Sequence, residues 1–255
     1  MAKTFAIIAP DGAKEEAIVY PDVPAFVAGA ADLVAAEASA AIAARGQFAI
    51  ALSGGNTPKP IYQRLSSMKL DWARVHVYFG DERCVPPSDS RSNYHMAKEA
   101  LLDHVAIPPA NVRRMRGEDP PEAAAEHYAD ALRQGLGENG RLDLVLLGLG
   151  DDGHTASLFP GLAALSETRR TVLACYVESV GMWRLTLTPP PINSARLVAF
   201  LATGDSKAEV LRRVVQGPRQ PVVLPAQIVR PRERPALWLL DAAAAAKLDR
   251  LNPAS

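Results

Sequence analysis

Apolar positions along this chain fall into short continuous runs, separated by stretches with helical spacing. That rhythm predicts strands alternating with helices. Residues 4–8 and 16–20 read as short strands joined by a turn at Asp11-Gly12. Residues 23–44 are alanine-rich, with Val, Phe and Leu at helical spacing, and Gly46 is a natural stop. Strand 47–52 follows, then a helix opening near Pro58, where the missing N–H is not needed. Val75 to Phe79 alternates and is rich in β-branched and aromatic residues, as a strand should be. Residues 93–104 and 121–135 read as helices. Residues 142–147, 171–177, 184–188 and 196–201 read as strands. A helix over 205–215, a strand over 236–240 and an alanine-rich helix from 241 complete the series.

Strands that are apolar throughout and alternate with helices predict an α/β fold. Its sheet should be mostly parallel, Rossmann-like, with helices on both faces and a few antiparallel strands at the periphery. No repeat or low-complexity linker divides the 255 residues, so 1–255 read as a single α/β domain. In open parallel sheets ligands gather at the carboxyl ends of the strands. The loops after residues 52, 79 and 147 all follow strands. They converge only if those three strands are neighbours.

Composition narrows the function. Lys plus Arg and Asp plus Glu both number 28, so the net charge is zero and nothing global draws the chain to nucleic acid or anionic lipid. A substrate anion must be met by local groups. The first apolar run is too short for a signal-peptide core, and the 23–44 stretch is broken by Asp32 and Glu37. No membrane span and a cytoplasmic location are therefore expected. Cys84 and Cys175 fit neither a metal spacing nor a disulfide framework and read as reduced thiols. Residues 217–235, rich in Pro and Arg, read as a solvated loop.

Two polar loops carry the chemistry. Ser53-Gly54-Gly55-Asn56-Thr57-Pro58 follows the run Phe48 to Leu52. Adjacent glycines let successive N–H groups turn inward on an anion, Ser53 and Thr57 add hydroxyls, and a helix start adds partial positive charge. It is not a Walker loop, because no Gly-Lys-Ser/Thr ending follows. Gly148 to Thr155 follows the run Leu142 to Leu147. Its glycines match a dinucleotide fingerprint by letter, but Asp151 and Asp152 would face the pyrophosphate, and Pro160 comes too soon for a long helix. Asp152 and His154 are the better centre: a carboxylate that orients an imidazole poised near neutrality. Gly80-Asp81-Glu82-Arg83 sets three charges at a strand end, where Arg83 can fork onto a phosphate or an oxyanion. Arg184 opens a strand. Lys207 falls in a first helical turn, where it opposes the macrodipole and an anion would relieve it. Together these point to chemistry on a phosphorylated small molecule.

In order along the chain, these motifs resemble the 6-phosphogluconolactonase family, which shares its fold with glucosamine-6-phosphate deaminases and isomerases. The matching stretches are Ser53 to Pro58, Gly80 to Pro86 with Ser92-Asn93-Tyr94, Gly148 to Pro160, Arg184 to Thr188, and Gly204 to Ala208. The family usually has Ser where this chain has Asn56. The resemblance implies hydrolysis of 6-phospho-D-glucono-1,5-lactone to 6-phosphogluconate in the oxidative pentose phosphate pathway, with no metal and no cofactor. It implies that Ser53, Gly54, Gly55, Asn56 and Thr57, with Lys207 and Arg184, hold the phosphate. His154 takes a proton from the attacking water, Asp152 holds the imidazole or binds hydroxyls, and Arg83 serves the oxyanion or the phosphate. By residue type alone, Asp81 or Glu82 can position substrate hydroxyls or hold Arg83.

Two rivals are weaker. The deaminase pattern, by the same resemblance, places a glutamate five residues after the loop histidine. Here that position is Phe159, which cannot do acid–base work. A sugar-phosphate sensor would carry a DNA-binding segment, and no spare helix-turn-helix is legible.

Overall fold

The computed structural model describes residues 2–137, 140–249 and 252–253. The chain opens with β1 (Lys3–Ile8) and β2 (Lys14–Tyr20), then α1 (Val23–Arg45) and β3 (Phe48–Leu52). Next come α2 (Lys59–Ser66), β4 (Val75–Phe79), β5 (Asp81–Arg83), α3 (Asn93–Ala100), α4 (Pro121–Leu136) and β6 (Leu144–Gly148). The remainder is β7 (Val172–Val177), β8 (Met182–Leu187), α5 (Pro189–Ser194), β9 (Leu197–Ala202), α6 (Ala208–Gln216), β10 (Leu237–Asp241) and β11 (Asn252–Pro253).

Eight strands form one sheet in the order β11-β1-β2-β10-β9-β6-β3-β4. From β2 to β4 every pairing is parallel, and β1 is antiparallel to both β2 and β11. Every residue of β3, β9 and β10 is buried, so both faces of the central strands are covered. Core packing here includes Trp238 stacked on Phe200, ring centroids 4.0 Å apart. The order places β6, β3 and β4 side by side, so the loops after residues 52, 79 and 147 leave the same edge of the sheet together.

The long helix α1 has clear ends. Asp22 accepts a hydrogen bond from the Ala25 amide at 2.8 Å, and Gly46 closes the last turn at φ 79°, where a side chain would strain. By length and hydropathy α1 is apolar enough to cross a membrane. Its Phe26, Ala30, Val34 and Ala38 are buried instead, and it packs along α2, β2, β3 and β10.

A second sheet, β5-β8-β7, is antiparallel. By sequence alone residues 81–83 read as a loop. Three charged residues carry no strand periodicity, and only the partner strand β8 makes them a strand.

Three expectations need correction. No helix forms from 241. Residues 242–247 make turns, with one i to i+4 bond from Ala245 to Asp241 and i+3 bonds beyond it. Asp241 explains the start: its carboxylate takes the amides of both Gly204 and Ala244. So short an alanine run cannot outweigh the cost of nucleation, and the described chain next pairs with β1. The helix expected over 205–215 is a 3-10 turn, Asp205–Lys207, followed by α6. Lys207 therefore precedes the α-helix. Residues 217–235 are not simply solvated either: Leu224, Pro225, Ala226, Gln227 and Val229 are buried.

Candidate active site

The loop after β3 is clamped before it reaches any ligand. The buried Tyr62 hydroxyl, on α2, accepts from the Ser53 amide at 3.0 Å and donates to the Ser53 carbonyl at 2.8 Å. Gly55 sits at φ 97°, a left-handed conformation open to glycine. A Cβ on Gly54 would lie 1.8 Å from Asn93 Oδ1, so only glycine fits beneath that amide.

The loop after β6 folds on itself. The Gly150 amide donates to the His154 carbonyl and the Gly153 amide to the Gly150 carbonyl, with Gly153 at φ 80°. Thr155 Oγ1 ties back to the Gly148 carbonyl at 2.8 Å. Asp152 Oδ1 accepts from the His154 amide at 3.0 Å and lies 2.6 Å from His154 Nδ1. The imidazole stacks on Phe159 with centroids 3.9 Å apart and planes 21° from parallel. A Cβ on Gly150 would fall 2.1 Å from Nδ1, so Gly150 also packs on the ring. These restraints leave Nε2 as the ring nitrogen without a partner among the described residues. Behind the loop, the Ala226 amide donates to the Gly153 carbonyl at 2.8 Å, so the 217–229 segment supports the histidine loop from outside.

The small sheet brings the charges. Asp81 is buried and held on both oxygens: Ser157 Oγ donates to Oδ2 at 2.7 Å and Asn93 Nδ2 to Oδ1 at 3.0 Å. Glu82 belongs to the scaffold. Its buried carboxylate accepts from the amides of Arg83, Asn93 and Tyr94 and from Ser92 Oγ, at 2.7–2.9 Å. It thereby fixes the start of α3. Burial pushes its carboxyl upward, and these bonds pull it back.

Arg83 and Arg184 are direct cross-strand partners on β5 and β8. Like charges so placed repel. Burial first, then the neighbouring Arg83, lowers Arg184 from the usual arginine range. Arg83 Nη1 donates to the Arg91 carbonyl. The Nε of each guanidinium is buried without a partner. Lys207 Nζ is 2.5 Å from the exposed Asp151 carboxylate. Burial pushes the Cys84 and Cys175 thiols up to about 11, in keeping with inert thiols.

These groups line one cleft of about 410 Å³, in the range of small-molecule sites. Ser53 to Thr57, Asp81, Arg83, His154, Arg184 and Lys207 all face it. Asp152 is not in its wall but stands behind His154. Among the described residues, six buried side-chain polar atoms lack a partner. Four of them, Ser53 Oγ, Arg83 Nε, Asn93 Oδ1 and Arg184 Nε, belong to cleft residues. Buried polar groups are normally paired, so this concentration marks a place for a ligand. Sequence reasoning did not single out Asn93, Thr155, Ala156 and Phe159 as site residues, yet all four line the cleft. Ala156, at φ 48°, is the one non-glycine with positive φ among the described residues. Strain of that kind tends to collect at functional sites. Among the described residues no cluster of His, Cys, Asp and Glu fits a metal ion.

Comparison with known proteins agrees with this layout. The family model described as glucosamine-6-phosphate isomerases/6-phosphogluconolactonase matches residues 21–238. A 6-phosphogluconolactonase of Nostoc sp. is 40% identical over 240 residues, covering 92% of this chain and 99% of the relative. The human 6-phosphogluconolactonase is 39% identical over 228 residues, covering 86% and 88%. The structure of 6-phosphogluconolactonase from Trypanosoma cruzi superposes with a TM-score of 0.81 at 31% identity, covering 91% of this chain and 96% of that one. By fold, sequence and motif order, the chain belongs to the glucosamine-6-phosphate isomerase/6-phosphogluconolactonase family.

Proposed function

We propose that this chain hydrolyses 6-phospho-D-glucono-1,5-lactone to 6-phospho-D-gluconate in the oxidative pentose phosphate pathway, with His154 as the base. One observation carries the reading. A single cleft holds a glycine-lined anion loop, two guanidiniums whose Nε atoms lack a partner, and an imidazole fixed by a carboxylate. A phosphorylated lactone needs these groups: an anion at one end, an ester carbonyl at the other.

The phosphate sits on the loop amides of residues 54–57, with Arg184 and Lys207 as counter-charges. Lys207 exchanges the Asp151 carboxylate for phosphate on binding. Water attacks C1 while His154 Nε2 takes its proton. Asp152, on Nδ1, holds the tautomer and stabilises the imidazolium. The tetrahedral intermediate expels the ring oxygen, which recovers the proton from Nε2. The bond from C1 to the water oxygen forms first, the C1–O bond to the ring breaks as the intermediate collapses, and the product is the open-chain acid. A positioned base is worth roughly 10²–10⁴ in rate. Arg83 shares its cross-strand position with Arg184, so it acts on the same phosphate.

Phe159 argues against the isomerase branch of the family. Stacked on the imidazole, it puts a hydrocarbon ring where that chemistry needs a second acid–base group. The test is direct: acid release from freshly prepared lactone, beside ammonia release from glucosamine 6-phosphate. Ammonia release, without lactone hydrolysis above the spontaneous rate, overturns the reading.

A further inference from the structure

Asn93 is the first residue of α3 and 2% exposed. Its amide nitrogen is spent on Asp81, donating to the backbone carbonyl at 2.9 Å and to Oδ1 at 3.0 Å. Those two bonds fix which end of the amide is oxygen. Oδ1 then lies over Gly54, buried, with no N–H or O–H to accept. Leaving a buried acceptor unmade costs about 1–3 kcal/mol. The fold does nothing to avoid that cost, although Asn93 lines the cleft. An amide oxygen cannot bind a phosphate dianion, which offers no proton. It can bind a hydroxyl. Beside it, the Asp81 carboxylate is another pure acceptor, already oriented by Asn93 and Ser157. The cleft is therefore divided. The loop amides, Arg83, Arg184 and Lys207 are donors for an anion, while Asn93 Oδ1 and Asp81 are acceptors for hydroxyls.

We propose that Asn93 Oδ1 accepts a hydrogen bond from one sugar hydroxyl of the substrate, making Asn93 a specificity-determining residue. The inference rests on the lactonase reading above. It also explains Gly54 a second way: any side chain there would displace the Asn93 amide.

The experiment compares wild type with Asn93→Ala and Asn93→Ser on the parent lactone and on its 2-, 3- and 4-deoxy analogues. Each substitution should lower kcat/KM for the parent by about 10- to 100-fold. One deoxy analogue should lose a similar factor on wild type and little more on the variants, because the bond is already gone. Inhibition by inorganic phosphate should be unchanged in both variants, separating loss of a hydroxyl contact from collapse of the anion loop. Wild type and variants equally sensitive to all three analogues would overturn the proposal and leave a bound water as the occupant. If neither variant folds, the wild-type series decides: three analogues within about twofold of the parent overturn it. No turnover of the parent by wild type instead sinks the lactonase reading, and this inference with it.

Discussion

The two ends of the parallel sheet handle buried charge in opposite ways. At the amino ends of β3, β6 and β9, Asp143 is buried and saturated. It accepts from the Ala49 amide at 2.8 Å and from Arg45 at 2.8 and 3.0 Å, and Arg196 Nε stands 3.3 Å away. Arg141 and Arg196 also meet Glu233. At the carboxyl ends, Arg83 and Arg184 face each other, and among the described residues no carboxylate is bound to either. The same residue types are ion-paired at one end and line the open cleft at the other. Removing a paired charge leaves its partner buried and alone. Removing an unpaired one relieves repulsion.

Substitutions can break or sharpen that contrast. The largest effect belongs to His154→Ala, which should lower kcat by roughly 10²–10⁴-fold and leave the melting temperature near wild type; unchanged turnover removes His154 from the mechanism. At the other end, Asp143→Ala should cost about 3–5 kcal/mol in urea unfolding, because three cationic or amide groups lose their acceptor. Its kcat and KM per folded molecule should stay put, and a loss of activity without a loss of stability would erase the contrast. Arg83→Ala should raise KM for the lactone by roughly 10- to 100-fold, as expected for a charge-assisted bond to phosphate. Its stability should hold or rise. A fall in kcat with constant KM would instead assign Arg83 to the oxyanion.

Glu15 provides a case outside both ends. It lies on β2, half-buried, with the Trp238 indole N–H donating to its carboxylate. Burial pushes it up to about 7, against that bond. Its proton is held by the folded state between about pH 4.5 and 7. The stability this confers is complete below about pH 4.5 and is lost as pH rises through 7. Glu15→Gln should therefore be more stable than wild type at pH 8 by about 1–2 kcal/mol, with the gap closing at pH 5. Equal denaturant midpoints at both pH values would refute it. The smallest effect is Asp151→Asn. It frees Lys207 from an exposed partner and should lower KM by about twofold at low salt, visible in initial-rate kinetics.

The central strands were legible because burial on both faces writes continuous apolar runs into β3, β6 and β9. The neighbour relation of β6, β3 and β4 was not: it is set by long-range pairing, which leaves no local periodicity. In the small sheet, whose β7 and β8 were legible, β5 hid for a related reason. Asp81-Glu82-Arg83 looks like a solvated loop until β8 and the start of α3 take up its polar groups. The glycine loop and the Asp152–His154 pair announced themselves by residue type. Asn93 did not, since an asparagine after Ser92 reads as helix capping; its bond to Asp81 spans 12 positions and shows only in three dimensions. Phe159 stands out in the sequence for the acid it lacks, while its stacking on the imidazole shows only in the fold.

The tie between Gly153 and Ala226 runs backbone to backbone. No change of side chain at position 226 deletes it, save to proline, which has no N–H to give. Alanine scanning would pass over this strut in silence. Exchange of the Ala226 amide hydrogen, rather than any substitution table, is where the rigidity of the histidine loop can be read.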